Sequence, residues 1–104
     1  MVKEINKEEF ENLIKEDNYS FIDFYALWCR PCMMMMPIID EIASEIEGIN
    51  FYKCNVDNNI ELAQKLNIES IPRFMVFKSQ KLVKVFVGAI PKEKFKSEIL
   101  CLIQ

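Results

Sequence analysis

The sequence predicts an α/β fold, a small three-layer α/β/α sandwich around a central mixed sheet, with its elements in the order β-α-β-α-β-α-β-β-α. Runs dense in aromatic and β-branched residues alternate with amphipathic helical patterns, which implies parallel strands joined by covering helices. Two strand-like runs, "RFMVF" and "LVKVFV", face each other across "KSQK" and add an antiparallel hairpin. A length of 104 residues, 51% of them apolar, suits one core, so residues 1–104 are expected to form a single domain.

Each element has its own warrant. Val2 and Ile5 make a short apolar start, and Asn6 is a helix N-cap with Glu9 three residues on. Phe10, Leu13 and Ile14 then fall at helical spacing, so a helix is expected over 7–16. "YSFIDFYA" reads as a buried strand. Pro31 suits the first turn of the next helix, where its missing N–H costs nothing, and Ile38, Ile39, Ile42, Ala43 and Ile46 continue it until Gly48. Projecting that helix back places Met34 and Met35 inward, with Met33 and Met36 on the face of Asp40 and Ser44. Pro37 removes one of its hydrogen bonds and is expected to kink it. "INFYKCNV" is a second strong strand and "NNIELAQKL" a short helix. After the hairpin, "PKEKFKSEILCLI" opens on proline and carries Phe95, Ile99 and Leu102 at helical spacing.

Composition excludes several function classes. A net charge of −3 without any run of Lys and Arg gives nucleic acid or an anionic membrane little to hold. No apolar stretch approaches the roughly 18 residues of a membrane span, and "MVKEINKEEFENLIKE" lacks the apolar core of a signal peptide. The cytoplasm is the expected location. Thiols stay reduced there, so the four cysteines are not expected to form a structural disulfide framework. The absence of histidine removes the commonest metal ligand and the commonest general base together.

Chemistry concentrates in "WCRPC", at the carboxyl end of a central strand where α/β folds place their sites. A structural zinc site needs about four ligands, and Cys29 and Cys32 stand as one pair. Two small core residues would not account for their spacing at a strand-to-helix junction. Redox chemistry accounts for every feature. A helix N-terminus offers free N–H groups and a partial positive charge that stabilise a thiolate. Only the thiolate attacks disulfides, so Cys29 is the nucleophile and Cys32, three positions on in the same turn, resolves the mixed disulfide. Pro31 stiffens the turn between them.

The chain resembles the thioredoxin family, through the strand carrying Asp23, "WCRPC", Pro37, "NVD", "SIPRFMVF" and "VGA", in order at family-like spacings over nearly its whole length. The resemblance implies a thioredoxin-like fold and a protein-disulfide reductase working without a bound cofactor, through the Cys29–Cys32 dithiol and disulfide. It implies a cis bond before Pro72 and a substrate groove lined by Trp28, Ile71, Pro72, Gly88 and Ala89. The family's buried acid maps onto Asp23 and its nearby lysine onto Lys53. The implied partners are a flavin-dependent reductase as electron donor and disulfide-containing proteins as substrates, with the chain acting as a monomer. Working the same site in reverse, as oxidase or isomerase, fits an exported protein better, and a purely structural module leaves the cysteines, Asp23 and Pro72 unexplained.

Some positions depart from the family or stay open. Arg30 stands where glycine is usual between the cysteines, Tyr25 where tryptophan is frequent, and Leu27 where polar residues are common; "KSQK" lacks the usual turn glycine. Arg30 either tunes the redox couple or selects acidic partners. Asp23 is the best candidate base if it is buried, and a solvated strand-edge carboxylate if it is not. Lys53 either pairs with it or faces water. Met33, adjoining Cys32, could supply a pliable apolar contact. Cys54 and Cys101 are expected to be small buried hydrophobes.

Overall fold

Asn6 caps the first helix as its position forecasts. In the computed structural model, which describes residues 2–104, its side chain accepts from the Glu9 backbone N–H at 2.9 Å while the Glu9 carboxylate accepts from the Asn6 N–H at 3.0 Å. The elements are β1 (Lys3–Glu4), α1 (Lys7–Leu13), β2 (Tyr19–Tyr25), α2 (Arg30–Glu45), β3 (Ile49–Asn55), α3 (Ile60–Lys65), β4 (Arg73–Lys78), β5 (Lys81–Val87) and α4 (Lys92–Leu102). This is the forecast order, with one turn of 3₁₀ helix, Val56–Asn58, between β3 and α3.

The sheet runs β1-β3-β2-β4-β5, with β1, β3 and β2 parallel and β4 and β5 antiparallel to their neighbours. Alternation along the strands divides the core. Phe21, Phe51, Phe74 and Phe86 pack with Met35, Ile39 and Ile42 of α2 and Phe95 and Ile99 of α4. Ile22, Phe24, Cys54, Met75 and Phe77 pack on the other face with Phe10 and Leu13 of α1 and Leu62 of α3. Phe95 holds the first layer together, its ring centroid 4.8 Å from Phe86 and 4.9 Å from Phe74.

Boundaries moved where the backbone found other partners. α1 ends at Leu13 rather than residue 16, because Lys15 and Glu16 bond three residues back in a tightened last turn. α2 stops at Glu45, with Ile46 already extended and Gly48 at φ +90°. Pro37 removes a hydrogen bond without breaking α2. The hairpin turn does without glycine, Ser79 and Gln80 both taking positive φ (50° and 69°), while the Gln80 N–H donates to the Ile14 carbonyl at 2.8 Å and ties the turn to the end of α1.

Two burial expectations fail. Met34 is 61% exposed, whereas Met35 is buried and Met33 and Met36 pack partly against the cluster of Tyr25, Ala26, Cys29 and Cys32. The seam of α2 is Cys32, Met35, Ile39 and Ile42, and at about 100° per residue Met34 falls on its flank. Cys101 is exposed, for the same reason: α4 buries Phe95 and Ile99, and a residue two past Ile99 lies about 200° round the helix.

Candidate active site

Buried β2 delivers the chain to Ala26, and the next turn is held by the Cys29 N–H donating to the Ala26 carbonyl at 3.2 Å. Cys29 is then the N-cap of α2, in extended backbone, and its Sγ accepts from the Cys32 N–H at 3.3 Å. A sulfur thus occupies the place of the usual capping oxygen, at the positive end of the helix. Arg30 and Pro31 form the exposed start of α2. Cys29 and Cys32 are disulfide-bonded, Cα atoms 5.2 Å apart; Cys29 is 4% exposed and Cys32 not at all. Cys29, the less enclosed residue of the pair, is the one expected to attack.

The loop before β4 meets this pair. The Ile71–Pro72 bond is cis, and the Ile71 carbonyl oxygen lies 3.8 Å from Cys29 Sγ. The Pro72 carbonyl accepts from the Gly88 N–H at 2.9 Å, which brings Gly88 and exposed Ala89 beside the loop. Gly88 has φ +84°, where a side chain would strain the backbone. Trp28 lies 72% exposed on the other flank, its Nε1–H donating to Asp57 at 2.9 Å. The motif "NVD" contains Asp57, but nothing in its spacing links it to Trp28. The 3₁₀ turn aims it, with the Asp57 N–H donating to the Asn55 side chain at 2.9 Å. Beside Trp28 and Ile71, a mostly apolar cavity of about 250 Å³ continues along Val56, Ile60, Ala63 and Ile68. Trp28, Ile71, Gly88 and Ala89 are therefore the exposed or half-buried residues of this face, while Pro72, Cys32 and most of Cys29 are enclosed beneath it.

Asp23 and Lys53 lie behind it. Asp23 is 1% exposed, and its Oδ1 has no hydrogen-bond partner. Burial pushes its carboxyl up to about 7; Lys53 opposes that rise, while Glu4 and Asp40 add to it. Lys53 stands directly across from Asp23 on β3, yet no ion pair joins them among the described residues. Glu4 stands across from Lys53 on β1 and accepts from the Tyr25 hydroxyl and from the Asn55 N–H. Burial, with Glu4 second, raises the Tyr25 hydroxyl above its ordinary range. Among the described residues no His, Cys, Asp and Glu group could hold a metal ion, and no helix is long and apolar enough to cross a membrane.

A cysteine pair capping a helix, facing a cis-proline loop and backed by a buried carboxylate, defines a thiol–disulfide exchange protein of the α/β sandwich class. Comparison with known proteins makes the assignment specific. The thioredoxin family's sequence model matches residues 1–100. Thioredoxin 1 of a Nostoc species is 42% identical over 79% of this chain and 78% of its own length, and the thioredoxin of Pyropia yezoensis 37% identical over 94% of both. Among solved structures, thioredoxin from Trypanosoma brucei brucei superposes with a TM-score of 0.90 at 28% identity, covering 99% of this chain and 91% of that one. Plasmodium falciparum thioredoxin gives 0.89 at 32% identity, covering 96% and 98%. The chain belongs to the thioredoxin family, and it is a protein thiol–disulfide oxidoreductase whose redox group is the Cys29–Cys32 pair.

Proposed function

We propose that this chain works as a cytoplasmic, monomeric, single-domain reductant of protein disulfides, with Cys29 attacking, Cys32 resolving and Asp23 acting as the base. The observation that carries the polarity is the cap of α2, where Cys29 Sγ faces the Cys32 N–H at the positive end of the helix while Cys32 is fully enclosed. In the reduced protein the Cys29 thiolate attacks one substrate sulfur, and the other sulfur leaves as a thiolate with the bonding pair. Cys32 gives its proton to Asp23 and attacks Cys29 Sγ, forming the Cys29–Cys32 disulfide and expelling the second substrate thiolate, which solvent protonates. Two electrons have then passed from the dithiol to the substrate. A flavin-dependent thioredoxin reductase returns them, so the chain needs no bound cofactor of its own.

Trp28, Ile71, Pro72, Gly88 and Ala89 receive the substrate as an extended segment that pairs with the Ile71 backbone, a form of strand addition. Pro31 stiffens the turn between the cysteines, Arg30 weights the balance toward thiolate, and Lys53 moderates the charge of Asp23. Trapping tests the assignment. Incubated with protein extract, Cys32→Ser should accumulate mixed disulfides through Cys29, and Cys29→Ser should accumulate none. Targets attached to Cys32 instead would reverse the roles.

A further inference from the structure

A buried base that takes a proton in each turnover needs a route to return it. Asp23 Oδ1, enclosed and without a partner, borders a cavity of about 10 Å³ walled by Val2, Met36, Ile39, Asp40 and Lys53. That volume holds about one water. Met36 and Asp40 lie four residues apart on one strip of α2, and Asp40 is the exposed residue of the cavity wall.

The other groups around Asp23 are less suited to receive a proton. Lys53 on β3 acts on Asp23 by opposing its uptake of a proton. Glu4 on β1 has both oxygens engaged, one by the Tyr25 hydroxyl and one by the Asn55 N–H. Tyr25 on β2 donates its own proton to Glu4, and Cys32 on α2 is the donor in the step concerned. Asp40 makes no hydrogen bond or ion pair among the described residues, which leaves its oxygens free.

We propose that Asp40 is the outlet for the proton that Asp23 takes from Cys32. Asp23 passes it to a water in the cavity, that water passes one of its own to the Asp40 carboxylate, and Asp40 releases it to solvent. The carboxylate of Asp23 is restored and no electrons move. Asp40 acts through Asp23 rather than on the sulfurs, and the inference rests on Asp23 being the base.

A peptide disulfide carrying a different fluorophore on each half separates the steps in a single turnover. Release of the first thiol reports attack by Cys29, and release of the second reports resolution by Cys32. In dilute buffer near neutral pH, Asp40→Asn should leave the first phase unchanged. It should slow the second roughly threefold to tenfold, less than the 100-fold or more that loss of a direct acid–base group brings. Concentrated imidazole should restore the second phase by carrying the proton from the cavity mouth, and Asp40→Glu should retain it. A second phase equal to that of the wild type, or one slowed but indifferent to buffer, overturns the outlet. So does a pH profile that merely moves down, since that is all the loss of a nearby negative charge would do. A wild type that releases neither thiol overturns the reductase reading and the outlet with it.

Discussion

At the scale of one residue, Asp23 sets stability and turnover against each other. Its carboxyl is raised from 3.8 to about 7, first by burial. Because the folded value lies above the unfolded one, the native state favours the protonated form. The Asp23 contribution to stability is therefore least unfavourable below about pH 4, worsens as pH rises through the window up to about 7, and carries the full penalty above it. A rise of about three units corresponds to roughly 4 kcal/mol as an upper bound. Asp23→Asn removes the charge, so its denaturant midpoint should exceed the wild-type value at alkaline pH, with the gain vanishing toward pH 4. Its resolution step should slow near neutral pH. An unchanged or lower midpoint at alkaline pH would argue that the carboxylate is not desolvated. The sequence made Asp23 conspicuous, since an acid amid Phe21, Ile22, Phe24 and Tyr25 is unusual. Of its neighbours only Lys53 is legible, and that through the family resemblance, because Glu4 and Asp40 reach Asp23 only through strand pairing and helix packing.

At the scale of the element, α2 shows what a pattern can phase and what it cannot. Ile39 and Ile42 mark the buried seam by their spacing, but Met33 to Met36 offer no polar contrast, and so the pattern places Met34 inward although it is exposed. The start of α2 was clear from Pro31, and its charge pattern is odd: Arg30 opens the helix and no acid occupies the first turn. A cation there opposes the helix dipole yet favours a thiolate on Cys29 over the neutral disulfide. Arg30→Gly should therefore be the stronger reductant, its potential lower by roughly 10–20 mV, as suits an exposed charge acting on a two-electron couple. Equilibration with glutathione at low and high salt reads this directly, and the difference should shrink as salt screens it. Equal potentials at low salt would leave Arg30 a role in partner choice alone.

At the scale of the whole molecule, the element order could be read because strands rich in Phe, Ile, Val and Tyr alternate with helices of clear period. The groove was legible only through the family motifs, since no spacing rule links Trp28 to Asp57, 29 residues away, or Tyr25 to Glu4. The same architecture separates the two free cysteines. Cys101 lies on the open face of α4, whereas Cys54 lies on β3 between β1 and β2, beneath α1 and α3, and burial pushes its thiol up to about 12. Thiolate is the reactive form, so Cys54 is protected twice, by cover and by charge. With Cys29 and Cys32 oxidised, a chromogenic disulfide reagent should modify Cys101 at once and Cys54 only as the molecule opens globally, at a rate that climbs with denaturant. Asp23→Asn, being more stable at alkaline pH, should slow the Cys54 reaction there without altering that of Cys101. Immediate modification of both thiols, or a Cys54 rate indifferent to denaturant, would show that the α1–α3 layer opens by itself.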